Sequence, residues 1–131
     1  MKRFGLVVML SALTALAALA TAPVTSAQPG DKCGGKGQAP CPLQGWMEKE
    51  VQGPFEAKDY KKLAAALEKA AKFAPDPAWN KGATSWEKLA KESAKAASGG
   101  DLKTIKKTCK ACHKAWRKKY KASHRMRKVP G

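Results

Sequence analysis

Beyond a strongly apolar opening, one pattern repeats along the chain. Apolar positions return every three or four residues, separated by Lys-rich polar stretches. That period puts them on one face of a helix, and hardly any run alternates as a half-buried strand would. Four helical segments are predicted. Residues 43–51, extending toward Phe55, set Met47, Val51 and Phe55 at four-residue steps, with a kink or break expected at Gly53-Pro54. Residues 57–74 carry Tyr60, Leu63, Ala64, Leu67, Ala71 and Ala74, and Pro75-Asp76-Pro77 ends the run. Residues 79–97 place Ala83, Trp86, Leu89, Ala90, Ser93 and Ala97 on one face and stop at Ser98-Gly99-Gly100. Asp101 is positioned to cap the last helix. Its stripe runs through Leu102, Ile105, Cys109, Cys112, His113, Trp116 and Tyr120. Four amphipathic helices joined by short turns predict an all-α, antiparallel four-helix bundle over residues 42–131.

The opening reads differently. Lys2 and Arg3 precede an apolar, Leu- and Ala-rich core from 4 to 20, and Thr25-Ser26-Ala27 supplies small residues before Gln28. This is the layout of a secretory signal peptide over residues 1–27. The core is shorter than the roughly 20 residues a membrane span needs, and nothing after Ala27 is apolar enough to span. An exported, periplasmic protein is therefore expected. The segment 28–41 is rich in Gly and Pro and reads as an arm holding Cys33 and Cys41. In an oxidising compartment such a leftover pair is expected to form a disulfide.

Composition sharpens the picture. The formal net charge is +16. Removing residues 1–27 takes away two basic residues and no acidic one, leaving +14. From Lys103 onward there is no acidic residue at all. Such a balance favours acidic partners or anionic surfaces, and export makes nucleic acid an unsuitable one. Ala is the commonest apolar residue, which predicts a thin core with room for a large flat cofactor.

Candidate chemistry centres on Cys109-Lys110-Ala111-Cys112-His113, the C-x-x-C-H spelling of a c-type haem attachment site. On a helix, the two thiols and the imidazole project within roughly a third of a turn of one another. One covalent haem c is expected, with thioethers at Cys109 and Cys112 and His113 as the proximal iron ligand. A thioredoxin-like pair would need a βαβ setting. A zinc site would need a fourth ligand, and the one other His is His124. Downstream of His113 the single Met is Met126, in the basic tail, so a distal ligand is sought upstream. Met47, in the first helix, is the sole Met between the leader and the motif. Core packing is the alternative role for it.

With Lys114-Ala115-Trp116-Arg117-Lys118-Lys119-Tyr120 behind the motif, the chain resembles the class II cytochromes c, the cytochrome c′ family, over residues 42–123. That resemblance implies a four-helix bundle with haem on the last helix and one of two distal arrangements. In one, a first-helix Met closes the iron, which here is Met47, and the protein carries single electrons between redox partners. In the other, the distal side stays open and binds nitric oxide or carbon monoxide. The expectation taken forward is a non-enzymatic electron carrier, monomer or homodimer, docking on acidic redox-partner proteins through its basic tail. Trp46, Trp86, Trp116 and Tyr120 are expected in the core or the cofactor pocket. His124 is expected to be exposed, and Arg117 to meet either a propionate or water.

Overall fold

The computed structural model describes residues 33–130; the expected leader, residues 1–27, lies outside them. Among the described residues the protein is all-α, with four helical stretches and no strand. The first stretch is built from three consecutive pieces: α1 (Pro42–Met47), a π-helical turn (Glu48–Gln52) and α2 (Gly53–Glu56). Then come α3 (Tyr60–Ala70), a 3₁₀ turn (Pro77–Asn80), α4 (Trp86–Ser98) and α5 (Leu102–Ser123). α3 packs on α4 and α4 on α5, while the first stretch lies mainly on α3.

The π turn resolves the problem posed by Gly53-Pro54. Proline has no N–H to donate and crowds the carbonyl four residues back. Widening the preceding turn lets the Gly53 N–H reach the Glu48 carbonyl, five residues back. The helix then resumes with Pro54 in its first turn, where a missing N–H costs nothing. A kink or break was expected there, and a π turn stands in its place.

The other boundaries follow from caps. Asp59 accepts from the Lys62 N–H at 3.0 Å and starts α3, so the second helix begins later than residue 57. Lys58, just before it, has φ 56°. The third helix also starts late. Asp76 caps the 3₁₀ turn, the chain breaks at Gly82 (φ 78°), and Ser85 Oγ then accepts from the Lys88 N–H to open α4. Ala83 therefore lies outside α4, on an exposed turn. The last helix begins where the sequence placed it, with Asp101 accepting from the Thr104 N–H at 3.0 Å.

Two apolar clusters share the interior. Leu63, Leu67, Ala94, Ala96, Ala97 and Ile105 form the first, with Val51, Phe55, Tyr60 and Cys109 against it. Leu43, Trp79, Trp86 and Trp116 form the second, with Met47, Phe73, Cys112, Tyr120 and Val129 against it. Large rings supply the volume that Ala-rich helices lack, and two of them tie their indole N–H groups to backbone carbonyls. Trp86 Nε1 donates to the Ala70 carbonyl at 2.7 Å, and Trp116 Nε1 to the Thr84 carbonyl at 2.9 Å.

The arm and the tail meet at one end. Cys33 and Cys41 are buried and joined by a disulfide. Arg125 donates to the Cys33 carbonyl, and Met126 Sδ lies 3.3 Å from Cys33 Sγ, a sulfur–sulfur contact. Gly34, at φ 71°, belongs in this turn. A Cβ there would stand 2.9 Å from Gln44 Oε1 and 3.0 Å from Cys41 Sγ.

Candidate functional site

α5 carries the chemistry because its register splits it into two sides. Ile105, Thr108 and Trp116 are buried. Cys109, Cys112 and Tyr120 are half-buried at the edge of that buried side. The remaining side is exposed and cationic, with Lys106, Lys107, Lys110, Lys114, Arg117, Lys118 and Lys121 along it. None of the helix's 22 residues is acidic.

The two cysteines of the motif meet different surroundings. Cys109 packs against the first cluster, and its Sγ lies 3.5 Å from Ser93 Oγ on α4. Cys112 packs against the second cluster, the one Met47 also joins. Burial, aided by the charge of a neighbouring Cys109 thiolate, pushes the Cys112 thiol up to about 12. Both cysteines are free thiols in the structure. Cys112 is therefore held as the neutral thiol at ordinary pH.

His113 follows Cys112 but is exposed. Partial desolvation, and secondarily the Arg117 guanidinium one turn on, hold its imidazole below the usual His range. It is therefore disposed to be neutral. Leu102, expected on the buried stripe, is 38 % exposed.

His124 lies deeper than expected. It is half-buried, with its ring edge-on to Trp79 at 5.0 Å. Lys119 Nζ sits 4.7 Å from the Trp116 ring centre, a cation–π contact that anchors the cationic side to the core. Arg117 is exposed. Trp46 meets Phe73 edge-on at 4.9 Å, which places it in apolar packing.

No protein-family model matches the chain, and no curated protein or solved structure matches it. Among the described residues, no group of three or more His, Cys, Asp or Glu side chains comes together to hold a metal ion.

These findings correct the haem expectations. The C-x-x-C-H run stands in the sequence, on α5, but it is not joined into a metal-ligand group. The bonded cysteine pair is Cys33–Cys41. His113 is exposed, and Met47 packs beside the tryptophan cluster. Membership of the class II cytochrome c family, the covalent haem c and the iron drawn from it find no support here and are withdrawn. The electron-carrier function and its gas-binding alternative, which rested on them, are withdrawn with them. What stands is an all-α four-helix fold with a disulfide-closed arm. No helix among the described residues is long and apolar enough to cross a membrane.

Proposed function

We propose that this chain works outside the cytoplasm as a small basic binding protein, not an enzyme. It docks on acidic partner proteins through α5 and uses the Cys109–Cys112–His113 turn, with Met47, as its binding centre. The observation that carries the docking is the one-sided charge of α5. Its exposed side is lined by Lys and Arg without a single carboxylate. Like charges held side by side on a rigid helix repel one another, and an acidic surface relieves that repulsion.

The candidate centre adjoins this side. Cys109 and Cys112 place two thiols one turn apart, and His113 adds an imidazole disposed to be neutral. Met47 packs on the same cluster as Cys112. Export rests on the leader pattern of residues 1–27, and the Cys33–Cys41 disulfide suits an oxidising compartment.

Ionic strength tests the docking. Association with polyglutamate should weaken steeply as salt rises, because exposed charges are screened within about 8 Å at physiological ionic strength. A flat profile removes α5 as a docking surface. N-terminal sequencing of the exported protein tests the location, with Gln28 expected as the first residue.

A further inference from the structure

A small cavity lies where the end of α3 meets the C-terminal tail. Its volume is about 30 Å³, and Phe73, Tyr120 and Val129 are among the apolar residues that wall it. Lys72 enters from the α3 side, and Arg127 and Lys128 from the tail. None of the lining residues is acidic. Among the described residues, none of the three cations stands in a salt bridge.

The size restricts the occupant. A water needs about 10–15 Å³ on this measure, so the space admits one small group and no aromatic ring. The charge restricts it further. Three cationic residues line this partly apolar notch, where a carboxylate is screened less than on open surface. The notch's Tyr120 also reaches into the arm–tail junction, its hydroxyl donating to the Arg125 carbonyl at 3.2 Å. Through that bond, one wall of the cavity is tied to the start of the tail.

We infer that the notch between Lys72, Arg127 and Lys128 is a recognition pocket for a single carboxylate side chain of the acidic protein partner. This rests on the docking reading above and adds a point of register to it. α5 supplies broad attraction, and the notch fixes one carboxylate relative to the helix. The occupant is a Glu or Asp side chain rather than an aromatic anchor, because the space is too small for a ring.

Binding of polyglutamate by the mature chain at low salt provides the test. Lys72→Gln with Arg127→Gln lowers affinity at least fivefold more than the charge-matched pair Lys61→Gln with Lys88→Gln. Ala74→Leu, which fills the notch without changing charge, lowers affinity about threefold. In the wild-type chain the Tyr120 and Val129 resonances shift saturably during the titration. If polyglutamate binds, but the pocket pair behaves like the control pair and Tyr120 and Val129 do not shift, the pocket is overturned and α5 docking stands. If the wild-type chain binds no polyglutamate at all, the pocket and the docking reading fall together.

Discussion

Trp79 and Trp116 stack face to face, their ring centres 4.9 Å apart and their planes 12° from parallel. One ring comes from the 3₁₀ turn before α4, the other from α5. Trp86 and His124 close on the same Trp79 ring at 6.1 and 5.0 Å. This stack is where α5, the turn region and the tail are tied together.

Trp116→Ala should therefore cost about 3–5 kcal/mol, the range for truncating a buried large ring. Trp116→Phe should cost less, because it keeps the stacked ring while losing the Nε1 bond to Thr84. Urea unfolding of the two variants checks the order. Equal costs would place the Trp116 contribution outside the stack.

The Asp101 cap has a pH signature. Its hydrogen bonds from Thr104 hold the carboxyl below its usual value. A depressed carboxylate pKa stabilises the fold above the unfolded value, near 3.9. That contribution is lost as pH falls through the lower, folded pKa. Asp101→Ala should lower the melting temperature at pH 7, and the gap to wild type should shrink as pH drops below about 3.9. Asp101→Asn should retain much of the cap without that pH dependence. Melting curves at pH 7 and pH 2.5 read both.

Cys112 should resist modification in the chain with its thiols free. Only the thiolate attacks an alkylating reagent, and the Cys112 thiol is pushed up to about 12. Its alkylation rate should rise about tenfold per pH unit from 8 to 11. Peptide mass spectrometry reads the modification site by site. A plateau below pH 10 would contradict the burial argument.

Replacing Cys33 and Cys41 by Ser should destabilise the chain by about 2.5 kcal/mol, the loop-closure entropy of so short a ring. The larger consequence is local. The Arg125 bond to the Cys33 carbonyl and the Met126 contact both depend on the closed arm. Amide exchange at residues 124–129 should rise while that of α4 stays unchanged. Exchange that rises equally in α4 would contradict a local role.

The parts that were legible in the sequence are those fixed by neighbours along the chain. Asp101 capped as expected because an Asp ahead of an amphipathic run, after Gly99-Gly100, leaves few other starts. Cys33 and Cys41 paired because a short Gly-rich arm brings its ends together. The π turn was not legible. Pro54 announces that a normal turn cannot continue, but not whether the chain breaks or widens. Trp79 to Ser85 looked helical by period, yet Gly82 and the Ser85 cap divided it. The half-burial of His124 depends on the tail folding back onto Trp79, a contact between distant residues. The candidate site shows the same limit. C-x-x-C-H fixes spacing on one helix and is silent about what gathers opposite it. The structure sets Cys109 and Cys112 against two different clusters and leaves His113 exposed.

The central claim is that α5, rather than net charge in general, is the docking surface. Two triple variants of identical net charge test it most directly against polyglutamate across a salt series. Lys110→Glu, Lys114→Glu and Arg117→Glu reverse the exposed side of α5. Lys61→Glu, Lys69→Glu and Lys88→Glu reverse exposed positions on α3 and α4. The α5 variant should lose at least tenfold in affinity and most of its salt dependence, while the other loses less than threefold. Equal losses in the two variants would contradict docking through α5.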